Sequence, residues 1–157
     1  MRRKRSFWLI AIIGIILDQI TKFLVVENFA NLGDTVPLWE GVFHFTYVIN
    51  TGAAFSFFRG QVEVLRWISL IVSMFLIIFV WYSPRLSLLE QLGYGFILAG
   101  AIGNGIDRFL FGYVVDFLDF RLINFPVFNL ADVAINIGVL LLLIVSFGTP
   151  VKSKSKT

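Results

Sequence analysis

The sequence predicts a mainly α-helical integral membrane protein with four transmembrane helices and a small β-sheet outside the membrane. Of its 157 residues, 58% are hydrophobic, and the mean hydropathy of +0.87 lies far above that of soluble domains. Four long apolar runs supply the helices. One segment that alternates in polarity and is rich in aromatic and β-branched residues supplies the sheet. The length leaves room for a single membrane domain, residues 1–157.

The composition excludes several kinds of site. Cysteine is absent, so disulfides, thiolate metal sites and thiol nucleophiles are excluded. A Ser-His-Asp site or a multi-histidine metal site would have to be built on His44, the one histidine. Aspartate chemistry remains, with no metal and no cofactor. Basic residues gather at the two ends of the chain, which indicates cytoplasmic anchors and gives no reason to expect nucleic acid as a partner.

The first span is predicted at residues 7–26, long enough to cross a hydrocarbon core of about 30 Å. Its basic start followed by an apolar run resembles a secretory signal peptide. The run continues through polar residues, however, and no small-residue cleavage site follows. Asp18 and Lys22 are four residues apart and can pair on one helix face. With Gln19 they form a polar group that must face the bundle or water, for which we expect a structural role.

The connection at residues 27–64 is predicted to lie outside the membrane, because its acidic residues outnumber its basic ones. Within it, residues 42–49 alternate in the way that is typical of a strand. The strand breaks at residues 50–52, a turn signal, and resumes at residues 53–58. We therefore expect a small apolar β-sheet on the outer membrane surface.

Three further spans are predicted at residues 65–82, 88–106 and 130–147. In the third, Gly95, Ala99 and Gly103 recur every four residues and form a smooth strip for close helix packing. Asn104 follows that strip and is a polar group that packing alone does not require. Four spans place both termini on the same side. Eight basic residues then lie inside and three in the outer connections, which indicates cytoplasmic termini.

Asp116 and Asp132 are the acids most suited to chemistry. Asp116 lies in the second outer connection, residues 107–129, and Asp132 lies just inside the fourth span. Acidic residues at a bilayer edge are costly unless they are paired or hydrated, which makes them candidates for function. A structural alternative is that Asn129 caps the helix and Asp132 favours its positive end. Close carboxylates share a proton, so one can act as base and the other as acid in amide hydrolysis.

Five ordered blocks resemble the bacterial lipoprotein signal peptidases (signal peptidase II). The blocks are DQITK at Asp18–Lys22, NTGAAF at Asn50–Phe55, GNGIDR at Gly103–Arg108, VVDF at Val114–Phe117 and FNLADVAINIG at Phe128–Gly138. Members of that family are four-helix membrane aspartyl proteases with a small external β-cradle. They cut prolipoproteins just before a diacylglyceryl-modified cysteine.

The resemblance implies roles for individual residues. Asp116 and Asp132 match the catalytic dyad. The residues that it implies in support of the site are Asn50, Gly52, Asn104, Arg108 and Asn129, and those in the structural polar group are Asp18, Gln19, Lys22 and Asp107. It also implies a monomer in the bacterial cytoplasmic membrane, in contact with lipids, with its site near the outer surface. Phe55, Phe117 and Phe128 would receive acyl chains or serve as ordinary packing.

Two other functions compete with this interpretation. Acidic and basic residues within a membrane also mark proton-coupled carriers, although here the acids cluster at one surface and an inverted repeat is missing. A non-enzymatic scaffold could use the same polar groups to join its helices. In that case removing the charge of Asp132 would disturb folding more than turnover.

Overall fold

The computed structural model describes residues 4–52, 60–123 and 125–148. Its helices are α1 (Arg5–Asn28), α2 (Val62–Tyr82), α3 (Leu88–Leu110) and α4 (Leu130–Gly148). Its strands are β1 (Thr35–Trp39), β2 (Phe43–Asn50) and β3 (Val114–Phe120), and a short 3-10 helix follows at Arg121–Ile123. The mainly helical class with a small sheet is therefore confirmed.

Three of the helices in the described part of the chain, α1, α2 and α4, are long and apolar enough to cross a membrane. Helix α3 is 23 residues long but is less apolar, since it carries Glu90 and Gln91 near its start, several glycines, and Asn104, Asp107 and Arg108 near its end. The number of membrane helices that length and composition support is thus three. That α3 also spans the membrane remains a prediction.

Helix α3 extends beyond the predicted span of residues 88–106. Asp107 and Arg108 were expected in the outer connection, but both lie in the last turn of the helix. The helix continues because their side chains find partners inside the protein, and it ends before Gly112, whose φ of 77° suits a glycine. At its start, Ser87 and Glu90 form a reciprocal capping box.

Helix α3 is the central helix, and it contacts each of the other three. The predicted strip of small residues faces α1. A methyl group added at Gly95 would lie 2.8 Å from the carbonyl oxygen of Phe7, and one added at Gly14 would lie 2.6 Å from Cβ of Ala99. At Gly103 the added carbon would lie 2.5 Å from a carboxylate oxygen of Asp18. The strip therefore lets the backbones of α1 and α3 approach closely.

The sheet is antiparallel with the order β1-β2-β3. Strand β2 confirms the predicted alternation, and β3 extends the strand-like stretch seen at residues 114–117. Strand β1 was not predicted. It contains Pro37, which an edge strand tolerates, since its outer N–H groups need no partner. The continuation predicted at residues 53–58, including Phe55, lies outside the described residues. Strand β3 packs on the end of α1, with Val25 in contact with the cluster of Val115 and Phe117.

The far end of the sheet contains a polar cluster that is separate from the acids of interest. Thr46 donates to Asp119 (2.7 Å), and Arg121 pairs with the same carboxylate at 2.9 Å. Burial alone would raise the pKa of Asp119, but these hydrogen bonds outweigh it and hold the pKa below its ordinary value. His44 is the cross-strand partner of Asp119 and accepts the Gly41 N–H at 3.1 Å. These contacts give His44 a structural role within the sheet.

The packing of α1 against α3 can be tested with two glycine substitutions in α3. Gly95→Ala places a carbon against backbone at 2.8 Å, whereas in Gly105→Ala the nearest atom is a side-chain carbon of Ser69 at 3.3 Å. Both changes raise helix propensity equally, so the difference between them isolates overpacking, which costs roughly 1–3 kcal/mol. We expect Gly95→Ala to unfold at a lower temperature than Gly105→Ala, as measured by tryptophan fluorescence in detergent. Equal midpoints would contradict this packing.

Candidate active site

Asp116 on β3 and Asp132 in the first turn of α4 line one cavity of about 880 Å³. The cavity lies at the end of the helix bundle that carries the sheet. Its lining combines polar groups near the two acids with apolar side chains farther along α4. The lining residues are 48–52, Asn104, Arg108, Val114, Asp116, 125–128, Asp132, Val133 and 135–137.

Asn129 joins the two acids and is fully buried. Its side-chain amide donates to Asp116 at 2.7 Å, and its backbone N–H donates to Asp132 at 3.2 Å. Its side-chain oxygen accepts the backbone N–H of Asp132 at 3.0 Å, which makes Asn129 the N-cap of α4. The predicted alternative, a helix cap at Asn129, is therefore present, and the residue that makes it is the one that also holds both acids.

Two further asparagines complete the hydrogen bonding of the pair. Asn50, at the end of β2, donates to the second oxygen of Asp116 at 2.8 Å, and its own oxygen is held by the Gly52 N–H. Asn104 donates to Asp132 at 2.9 Å and accepts from Asn129 at 3.0 Å. Each carboxylate thus receives two hydrogen bonds from the described residues.

The polar group of α1 forms a buried ion cluster next to the site. Lys22 Nζ lies 2.9 Å from Asp18, 3.0 Å from Asp107 and 3.0 Å from the side-chain oxygen of Asn104. Gln19 donates to both Asp18 and Asp107. Lys22, Asp18, Gln19 and Asp107 do not line the cavity, and Lys22 reaches it through its hydrogen bond to Asn104, which does.

The same cluster also accepts hydrogen bonds from backbone N–H groups of α4 and β3. Asp18 accepts the N–H of Ala131 in α4 at 2.9 Å. Asp107 accepts the N–H of Val115 in β3 at 3.2 Å. Both contacts lie one residue from a candidate acid, at Asp132 and Asp116. The positions of the two acids therefore depend on charges in α1 and α3.

Arg108 lines the cavity and is held from two sides. Its guanidinium donates to the Ser69 hydroxyl at 3.2 Å and to the Gly52 carbonyl oxygen at 3.3 Å. Sequence reasoning missed Ser69. The available signal was its spacing of four residues from Ser73, which places two hydroxyls on one face of an otherwise apolar helix. That face packs on α3, and Ser69 is buried there.

The phenylalanines near the site have different surroundings. Phe128 lines the cavity. Phe117 packs beneath the sheet with Val25 and Val115 instead. Phe55 lies outside the described residues. The ordinary packing role therefore fits Phe117.

The electrostatics of Asp116 suit proton exchange near neutral pH. Burial, followed by the nearby charge of Asp132, raises the pKa of Asp116 to about 7. Hydrogen bonds from Asn50 and Asn129 oppose this rise without reversing it. A carboxyl group in this state gives up or takes a proton readily at physiological pH.

The chain is similar to known proteins in both sequence and fold. A family model described as Signal peptidase (SPase) II matches residues 10–148. A lipoprotein signal peptidase of Gloeothece citriformis is 68% identical, over 99% of this chain and 96% of the relative. One of Microcystis aeruginosa is 66% identical, over 98% and 97%.

Two solved structures, both described as a bacterial membrane enzyme, resemble this fold. One superposes with a TM-score of 0.87 at 32% identity, covering 97% of this chain and 93% of its own. The other gives a TM-score of 0.82 at 33% identity, covering 92% and 94%. The likeness therefore includes both the helices and the sheet.

The raised pKa of Asp116 predicts a pH dependence of stability. Between about pH 4 and pH 7 the folded protein keeps a proton on Asp116 that the unfolded chain has released, so stability falls as the pH rises, at up to about 1.4 kcal/mol per pH unit. Asp116→Asn removes this titration. We expect thermal unfolding between pH 4 and pH 8 to show a flatter profile for the variant than for the wild type.

Asp119→Asn serves as the control for this measurement. The pKa of Asp119 is lowered, so that group contributes stability that is lost as the pH falls, which is the opposite sign. If the profiles of the wild type and Asp116→Asn run parallel, Asp116 does not titrate in this range.

Proposed function

Because the chain belongs to the signal peptidase II family of aspartic-type membrane proteases, we propose that it removes signal peptides from prolipoproteins. The cut falls just before a cysteine that carries a diacylglyceryl group. The observation that carries this proposal is the pair Asp116 and Asp132, which open onto one cavity and are joined through Asn129. Prolipoprotein substrates are anchored in the membrane, and the cavity suits them because it continues from the acids along apolar residues of α4.

The reaction that we propose is hydrolysis by a shared-proton dyad. One ionised carboxylate takes a proton from water, whose oxygen attacks the scissile carbonyl. The protonated partner gives its proton to the carbonyl oxygen, so that a neutral tetrahedral intermediate forms. When the C–N bond breaks, the carboxyl that was protonated by water donates to the leaving nitrogen. The other carboxylate takes the proton of one hydroxyl of the intermediate, so that the C=O of the product acid forms and the dyad is regenerated. No covalent link to the enzyme is formed.

Secondary structure favours different roles for the two acids. Asp132 lies in the first turn of α4, where the helix dipole and the Asn129 N–H favour a negative charge, so it is suited to be the base. Asp116 lies on a strand without that help, and its pKa of about 7 lets it hold the proton as the acid. The pair titrates as a unit, so these are roles of the resting state.

Four residues are proposed to support the reaction, three asparagines and an arginine. Asn50 donates to one oxygen of Asp116 and Asn104 to one oxygen of Asp132. Asn129 donates to the other oxygen of each acid. Arg108, held by Ser69 and Gly52, provides a positive charge that interacts with both acids. That charge offsets the negative charge of the dyad and of the oxygen that develops in the transition state.

For the membrane arrangement we propose that α3 spans the membrane in addition to α1, α2 and α4. The four spans then form one domain of residues 1–157. Helix α3 contacts the other three helices, so its polar side chains find partners within the protein rather than in lipid. Both termini then lie in the cytoplasm of a bacterial cell and the site lies near the outer face of the cytoplasmic membrane. The protein would act as a monomer in contact with lipids.

The dyad is tested by Asp116→Asn and Asp132→Asn. Each change removes one half of the acid–base pair, so we expect cleavage of a diacylglyceryl-modified precursor to fall at least about 100-fold. The measurement is the size shift of precursor incubated with purified protein, beside an unmodified precursor that should stay intact. The same change at Asp119 is the matched control, because that carboxylate lies on the same strand but bonds to Thr46 and Arg121. Asp119→Asn should stay within about threefold of the wild-type rate; wild-type rates in either dyad variant would refute the assignment.

The four-span arrangement is tested separately with a reporter protein fused after Lys156. An even number of spans places that fusion in the cytoplasm with the N-terminus, as the basic residues of both ends favour. We expect activity from a reporter that works only in the cytoplasm, and none from one that works only outside. The opposite pattern would contradict the arrangement of four spans with both termini in the cytoplasm.

A further inference from the structure

Asn136 is a polar side chain in an unusual place. It lies four residues after Asp132 on the membrane-spanning helix α4, is exposed, and lines the same cavity as the two acids. Its neighbours in the lining on that part of α4 are apolar, at Val133, Ile135 and Ile137. The other polar lining groups lie near the level of the acids. Asn136 therefore places an amide about one helical turn, roughly 6 Å, deeper into the membrane.

The amide of Asn136 is only partly satisfied. One N–H donates to the carbonyl oxygen of Asp132 at 2.9 Å. Among the described residues, no hydrogen bond is made by its side-chain oxygen or by its second N–H. Hydrocarbon cannot bond to these groups, and an unsatisfied amide there costs several kcal/mol. An occupant of the cavity that offers both a donor and an acceptor would remove that cost.

An extended peptide segment has this chemistry. For water to reach the scissile amide, the substrate must leave the helical conformation at the dyad, and the N–H and C=O groups of that segment then lose their helical partners. The signal segment continues from the cut into the membrane, so it must pass along α4 beyond Asp132. With about 3.3 Å per extended residue, a depth of roughly 6 Å corresponds to about two residues before the cut.

We propose that Asn136 is a substrate-binding residue that holds one extended residue of the signal segment, about two residues before the scissile bond, by accepting from its N–H and donating to its C=O. This rests on the proposed function, since it takes the dyad as the point of cleavage. Such a contact stabilises the extended backbone without reading side chains. It therefore supports binding of many different signal segments.

The first test is Asn136→Leu, which keeps the branching at Cγ and the number of side-chain heavy atoms and removes both hydrogen-bonding groups. The contact is present in the bound state and in the transition state alike, so we expect KM to rise about fivefold to tenfold with kcat within twofold. Val139→Leu, on an exposed face of the same helix outside the cavity lining, is the control and should change neither constant. An unchanged KM in Asn136→Leu would overturn the proposal.

The second test identifies the group that Asn136 holds. In one substrate the amide two residues before the cut is replaced by an ester, which removes its N–H. The wild type should lose about fivefold in affinity for this substrate, and Asn136→Leu should lose nothing further, because the two changes remove the same contact. In another substrate the acyl chains are joined by ethers, which lack the ester carbonyls of the lipid. If the penalty of Asn136→Leu disappears with the ether-linked substrate, the lipid is the partner and the proposal is wrong.

A parallel binding measurement separates this inference from the proposed function. The same peptides are titrated onto Asp116→Asn and onto Asp116→Asn with Asn136→Leu, and dissociation constants are compared without any cleavage. A fivefold to tenfold weaker binding of the double variant supports the contact even if cleavage by the wild type fails. Equal binding overturns the contact even if the wild type cleaves.

Discussion

The charge of Lys22 is the constraint on which the polar part of this molecule depends. An ammonium group can only donate, and Lys22 lies within a helix bundle where acceptors must come from the protein. It is met by two carboxylates and by the side-chain oxygen of Asn104. Because that oxygen faces Lys22, the amide nitrogen of Asn104 must face Asp132. A cation in α1 thus fixes the direction of a hydrogen bond at the candidate active site.

The same reasoning extends through Asn129. The oxygen of Asn104 also accepts from the Asn129 side chain, so that amide nitrogen lies between Asn104 and Asp116. The oxygen of Asn129 is then free to cap α4 at Asp132. The side-chain amides of Asn104 and Asn129, which connect Lys22 to Asp116 through hydrogen bonds, therefore each have one orientation that satisfies their neighbours. Such a network is rigid because a change at one member leaves a buried group of the next without a partner.

Much of the fold and of the candidate site could be predicted from the sequence. What could not be predicted depends on contacts between distant parts of the chain. Charged residues are rare within apolar runs, so Asp18, Lys22 and Asp132 stand out, and alternation revealed β2. The end of α3 was misplaced because Asp107 and Arg108 resemble a polar connection until their partners are known. Those partners come from α1, α2 and the segment after β2, and spacing along the chain does not encode such contacts.

The acids proposed to be structural and those proposed for catalysis differ in how many of their hydrogen-bond acceptor sites are used within the protein. An ionised carboxylate offers about four acceptor sites. Asp18 accepts from Lys22, Gln19 and Ala131, and Asp107 accepts from Lys22, Gln19 and Val115, so most of their capacity is used within the protein.

Asp116 and Asp132 each accept two hydrogen bonds from residues in the described part of the chain, and both face the cavity. The remaining sites on each are available to water or to a substrate carbonyl. A pair that served only to join helices would have no use for such capacity beside an open cavity, because unused acceptors there favour water at the expense of packing. The distribution of hydrogen bonds therefore favours chemistry at Asp116 and Asp132 and support from Asp18 and Asp107.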